Sequence, residues 1–147
     1  MKFVLDASVT LSWLLGDAAA REAAYVFSVL AALRARTSAA AVPMTWGLEI
    51  ANVLARGEAK GQLNEAQSEA FLEMLQATPI HVDADTSAQA LGGTLQLARR
   101  YRLSAYDASY LELALRAALP LATLDEDLRH AARKAGVKLF KPTRAPR

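Results

Sequence analysis

Five short apolar runs, Lys2 to Asp6, Ser38 to Pro43, Pro79 to Val82, Pro120 to Thr123 and Val137 to Phe140, are separated by longer segments of helical periodicity. This alternation constrains the chain more than any other feature. Successive strands with a helix between them run parallel, and a parallel sheet is stable when helices cover both faces. The expected fold is α/β: a single three-layer α/β/α domain with a short central parallel sheet of about five strands. At 147 residues, 53% hydrophobic and 22% charged, the chain can bury one core. No internal repeat or long linker divides it. The reading is one domain over residues 1–140 and a basic tail over 141–147.

Local signals place the helices. Ser8 offers an N-cap to a helix through Leu15, and Asp17 to a long amphipathic helix ending near Arg36. Helices are expected from Thr45 to about Lys60 and from Asn64 to about Ala77. Another runs from Asp83 or Asp85 to Tyr101, weakened at Gly92 and Gly93. Ser104 begins a helix to about Ala118, and a last one spans Glu126 to Ala135 before Gly136.

The chain has no cysteine, which excludes disulfides, thiolate metal sites and cysteine nucleophiles. Any metal must be held by oxygen or by His81 and His130, and the two histidines read as structural or exposed. Apolar runs such as Val29 to Leu33 fall far short of the roughly 20 residues that span a bilayer. Lys2 and the apolar residues after it suggest a secretory signal, but Asp6 breaks the stretch, so a cytoplasmic protein with no membrane partner is expected. The net charge of +2 conceals an asymmetry: all seven basic residues from Arg129 onward lack acidic company, while residues 1–128 are net acidic. Arg129, Arg133 and Lys134 are either the solvated face of the last helix or contacts to a polyanion.

In open parallel sheets, ligands bind beyond the carboxyl ends of the strands. Asp6 ends the first expected strand and Asp125 follows the fourth, so the two share an edge if those strands are neighbours. Glu49 falls on the apolar stripe of Trp46, Ile50 and Val53, and Asp107 on that of Leu103, Tyr110, Leu111 and Ala114. Each has a plain alternative: Asp6 and Asp125 as N-caps, Glu49 in an ion pair, Asp107 bonded to a first-turn amide. Carboxylates crowded together repel, and a divalent cation removes that conflict. All-oxygen ligation suits Mg²⁺ or Mn²⁺, and the matching chemistry is metal-assisted phosphoryl transfer by one ion, or by two about 4 Å apart.

The segments Val4-Leu5-Asp6-Ala7-Ser8, Glu49-Ile50-Ala51-Asn52, Tyr106-Asp107-Ala108-Ser109-Tyr110 and Leu121-Ala122-Thr123-Leu124-Asp125 resemble, in order and spacing, those of PIN-domain ribonucleases. Within that family the chain is similar to VapC-type toxins of toxin–antitoxin pairs. The resemblance implies that Asp6, Glu49, Asp107 and Asp125 are the acidic quartet around Mg²⁺ or Mn²⁺, and that Ser8, Asn52 and Thr123 support them. Asp127 is an auxiliary acid or a first-turn charge. The implied activity is RNA hydrolysis by metal-activated water, leaving a 5′-phosphate and a 3′-hydroxyl. The implied partners are RNA, a VapB-like antitoxin and a second copy of the chain. Arg99, Arg100 and Arg102 could touch phosphates, or complement a helix C-terminus. The helices at Asp17–Arg36 and Asn64–Ala77 could supply an apolar groove for an antitoxin helix.

Three other readings compete. A non-catalytic PIN-like binding module would keep the fold and function without Asp6 or Asp107. A phosphoacceptor signalling domain would need a Lys at a strand end facing the acids, and no strand supplies one. A haloacid-dehalogenase-like phosphatase would want a second acid where Ser8 stands.

Overall fold

The short strands form because their side chains are wanted on both sides of a sheet. In the computed structural model, which describes residues 1–143, the chain runs β1 (Lys2–Leu5), α1 (Ala7–Leu15), α2 (Ala20–Arg34), β2 (Ala39–Val42), α3 (Thr45–Ala59), α4 (Glu65–Gln76) and β3 (Ile80–Val82). It continues through α5 (Thr86–Gln89), a π-helical turn (Ala90–Thr94), α6 (Leu95–Tyr101), α7 (Ala105–Ala117), β4 (Leu121–Ala122) and α8 (Glu126–Lys134). The sheet is wholly parallel, in the order β3-β2-β1-β4.

Phe3, Val4 and Leu5 have no solvent exposure, and their alternation sends them to opposite layers. Phe3 and Leu5 join Val9, Val29 and Leu33 of α1 and α2, with Phe140 stacked on Phe3 at a centroid separation of 3.9 Å. Val4 joins Tyr110, Leu111 and Leu128 of α7 and α8. A third cluster, Ile50, Leu54, Phe71 and Leu75, joins α3 to α4. Trp46 borders all three clusters, and its indole N–H donates to Thr10 Oγ1 at 3.0 Å. The three-layer α/β/α architecture is therefore as expected.

Several local expectations are corrected. The sheet has four strands, because the fifth run contributes a single parallel bridge, Leu121 to Leu139, flanked by two backbone hydrogen bonds. Asp6, not Ser8, takes the N-cap position of α1, with its carboxylate engaged elsewhere. Asp17 accepts from Ser12 Oγ at 3.3 Å, and α2 starts three residues later at Ala20. The helix expected from Asp83 or Asp85 to Tyr101 is broken at Gly92, whose φ of −110° and ψ of −107° are not helical. Asn64 does cap α4, in a reciprocal capping box with Gln67. Of the basic tail, Lys141, Pro142 and Thr143 have neither helix nor strand, and the part over 144–147 lies outside the described residues.

No helix among the described residues is long and apolar enough to cross a membrane.

Candidate active site

The sheet order makes β1 and β4 neighbours, and the Asp6 amide donates to the carbonyl of Ala122 at 2.9 Å. Asp6 and the segment after β4 therefore share the carboxyl edge of the sheet. Asp6 is only 3% exposed. Its Oδ2 accepts from Ser8 Oγ and from Thr123 Oγ1, both at 2.6 Å. The same two hydroxyls bind the incoming loop: Ser8 Oγ accepts from the Leu124 amide and Thr123 Oγ1 from the Asp125 amide, each at 3.0 Å. Asp6 is thus fixed by hydroxyl bonds rather than by a cation. Burial raises its pKa above the usual aspartate value, and the charge of Asp125 adds to the rise.

Glu49, just past the first turn of α3, is half-buried and reached by the hydroxyl of Tyr110 at 3.3 Å. Burial pushes its pKa up to about 7, aided by the charges of Asp6 and Asp107. Asp107 sits in the first turn of α7, where Ser104 caps the helix by accepting from the Asp107 amide at 3.1 Å. Burial, then the charges of Asp125 and Asp6, push the Asp107 carboxyl up to about 6. Asp125 caps α8, its Oδ1 accepting from the Leu128 amide at 2.8 Å.

The four expected acids are therefore brought into mutual electrostatic reach, and one of the plain alternatives holds: Asp125 is an N-cap. Asp6 occupies the N-cap position of α1 without a side-chain cap bond, and Glu49 pairs with no cation among the described residues. The carboxylates do not close into a cage, since among the described residues no three His, Asp or Glu are arranged to hold a metal ion. Side-chain oxygens of Asp6, Glu49 and Asp125 are spent on hydroxyl and amide donors. The donor set is nonetheless all oxygen, buried and crowded with like charge, which is the electrostatic situation a hard divalent cation relieves.

Of the expected supporting residues, Ser8 and Thr123 are bonded to Asp6, while Asn52 is exposed one turn beyond Glu49 on α3 and bonds none of the acids. Asp127 is exposed in the first turn of α8, and its charge also contributes to the rise at Asp107. Arg99, Arg100 and Arg102 are exposed at the end of α6, ahead of the Asp107 helix. His81 and His130 are exposed.

Two participants escape a reading of local sequence. Tyr110 reads as core from its helical phase, and it is fully buried, but its hydroxyl also reaches Glu49. Arg129 reads as surface or polyanion contact. Instead it grips Glu22 with both terminal nitrogens, at 2.8 and 3.3 Å, and donates through Nε to the Thr123 carbonyl at 2.8 Å. It braces the loop that carries Thr123 and Asp125.

Three solved structures share the fold. PAE2754 from Pyrobaculum aerophilum superposes with a TM-score of 0.63 at 22% identity, over 89% of this chain and 79% of that one. VapBC2 from Rickettsia felis, bound to a DNA fragment from its promoter, gives 0.65 at 12% identity over 95% and 98%. FitAcB from Neisseria gonorrhoeae gives 0.54 at 20% identity over 97% and 98%. No curated protein is significantly similar in sequence. The PIN domain family model matches residues 3–134. That match runs from the body of β1 to the last residue of α8, taking in all four buried or half-buried acids, and on that breadth the chain belongs to the PIN domain family.

Proposed function

We propose that the protein is a divalent-metal-dependent endoribonuclease and the toxin of a toxin–antitoxin pair. The observation that carries the reading is a group of desolvated carboxylates at the carboxyl edge of the sheet, of which Asp6, Glu49 and Asp107 pair with no cation among the described residues. Folding tolerates such a group at a cost, and function is the usual reason.

Asp6, Glu49, Asp107 and Asp125 would hold Mg²⁺ or Mn²⁺, directly or through water. When bound, the ion supplies Lewis acidity toward a phosphate oxygen and lowers the pKa of a water molecule. The chain's own residues set the frame. Ser8 and Thr123 lock Asp6 against the strand end, so this ligand is preorganised. Arg129 holds the Thr123 carbonyl and thereby the loop leading to Asp125. Without the ion, burial leaves Glu49 about half protonated near pH 7 and Asp107 so about one pH unit lower, and both give up protons when a cation arrives. No side-chain base is required beyond these carboxylates.

Partner binding extends the same reading. An apolar cavity of about 460 Å³ between α3 and α4, lined by Trp46, Ile50, Leu54, Leu72, Leu75 and Ile80, supports a groove that includes α4. An amphipathic antitoxin helix would lay its apolar face there. Homodimer formation, a cytoplasmic location and products with a 5′-phosphate and a 3′-hydroxyl complete the proposal.

The test is thermal unfolding with Mn²⁺ or Mg²⁺ titrated at constant ionic strength, for wild type, Asp6→Asn and Asp107→Asn. At 100 times Kd the wild type should gain about 2.7 kcal/mol, and both variants should lose most of that gain. Equal responses in all three proteins, or none in any, would remove the nuclease reading and favour a binding module.

A further inference from the structure

The carboxylate site leaves one polar cavity unexplained. It lies between the end of α6 and α8, encloses about 350 Å³, and is lined by Arg100, Tyr101, Arg102, Asp127, His130 and Lys134.

Its cations take no part in the ion pairs that hold Arg116 and Arg129. Among the described residues, the ion pairs use Arg116, held by Asp83, Asp85 and Glu112, and Arg129, held by Glu22 and Glu126. Arg100, Arg102 and Lys134 have no carboxylate within 4.0 Å, so three cations face the cavity against the single acid Asp127. Arg100 is held in place by an uncharged partner, its guanidinium 5.6 Å from the centroid of the Tyr101 ring. Arg102 closes α6 with a φ of 54°, a conformation glycine adopts more cheaply, yet a long cationic side chain stands there.

The cavity also adjoins the acids. Asp127 lines it and acts electrostatically on Asp107, so one residue borders both places. A second basic cavity, containing Arg133, Lys138 and Lys141, also contains Met1 and therefore opens at the end of β1 opposite Asp6.

We propose that the cavity of Arg100, Arg102 and Lys134 is a phosphate subsite, which takes a non-scissile backbone phosphate of the single-stranded RNA whose scissile phosphate lies at the carboxylates. Arginine forks suit phosphate oxygens and the lysine adds a point charge. With Asp127 as the shared wall, a phosphodiester chain leaving the acidic centre meets this positive cavity next. The positioning role rests on the nuclease reading; the phosphate binding does not.

The experiment measures binding of a fluorescein-labelled oligouridylate in EDTA across a salt series, using the full chain as wild type, the double variant Arg100→Gln/Lys134→Gln, and Arg34→Gln. Arg34 is exposed at the end of α2, outside the cavity, and equal melting temperatures would establish that the variants fold. The double variant should bind more weakly at every salt concentration, with a slope of log affinity on log salt shallower by about 0.7, the value for one single-strand phosphate contact. Arg34→Gln should keep the wild-type slope. An unchanged slope in the double variant would overturn the subsite, as would an equal loss in Arg34→Gln, which would mean a diffuse positive charge effect. Because binding is read without metal, a slope loss combined with an absent metal response would leave the subsite standing and remove only the nuclease reading.

Discussion

Two groups of acids in this molecule show what a cation does to a carboxylate. In the first, Asp83 and Glu112 converge on Arg116, which donates to them at distances from 2.6 to 3.1 Å. The guanidinium holds the Asp83 carboxyl below its usual value. In the second, Asp6, Glu49 and Asp107 gather at the sheet edge without a basic residue, and burial raises all three. Both groups are carboxylates removed from bulk water by the same fold. One is already neutralised and serves the structure by tying the β3–α5 loop to α7; the other is left to be neutralised by something that binds.

Breaking the first group should give the largest effect. Arg116→Ala leaves Glu112, only 5% exposed, and Asp83 without their cation. Removing one partner of a buried pair costs 3–5 kcal/mol as a rule, and because the Arg116 side chain is 29% exposed the loss should be about 3 kcal/mol. A urea titration should show a lower midpoint with an unchanged slope. A loss under about 0.5 kcal/mol would mean that solvent supports the two acids as well as arginine does.

A smaller effect, of opposite sign, is expected in the second group. Without metal, Asp107→Asn removes an uncompensated charge and should stabilise the protein by up to about 1 kcal/mol at pH 7.5, and by almost nothing below about pH 3, where the carboxyl is protonated in both states. The folded-state values of Glu49 and Asp107, about 7 and about 6, lie above their unfolded values. The folded protein therefore binds more protons between pH 4 and 7, so this contribution to stability is complete below about pH 3 and is lost as pH rises through 6 to 7. Asp83 and Glu22, held low by arginines, contribute in the reverse direction, losing stabilisation as pH falls. Urea unfolding across pH separates the two groups, since Asp107→Asn should flatten only the neutral-side decline.

This contrast also explains how much could be read from sequence. The four acids were legible because two follow apolar strand runs and two interrupt apolar helix stripes, both of which are local patterns. What neutralises an acid is not local. Arg129 lies four residues from Asp125 but spends its charge on Glu22, more than a hundred residues away, so a basic stretch read as free surface is partly structural. Arg116 meets Asp83 across 33 residues. The cap of α1 differs for a related reason: Asp6 stands where a cap belongs, but hydroxyls from α1 and from the loop after β4 claim its carboxylate. The fifth strand was overread because an apolar run signals burial, which Val137 and Phe140 have, without guaranteeing more than one paired residue. The break in the helix after Asp85 was signalled by Gly92 and Gly93, though a glycine pair indicates weakness and not the geometry that results.

The central claim is that Glu49 and Asp107, pushed up by burial to about 7 and about 6 and left without a neighbouring cation, hold protons just below neutrality and release them to a metal ion. Isothermal calorimetry of Mn²⁺ binding at pH 6.5, in buffers of different ionisation enthalpy, measures this directly. The account predicts release of about one proton per protein, chiefly from Glu49 with a share from Asp107, vanishing by pH 8.5 and reduced in Glu49→Gln. Binding without proton release at pH 6.5 would place the ion on ordinary surface carboxylates, and would contradict the account.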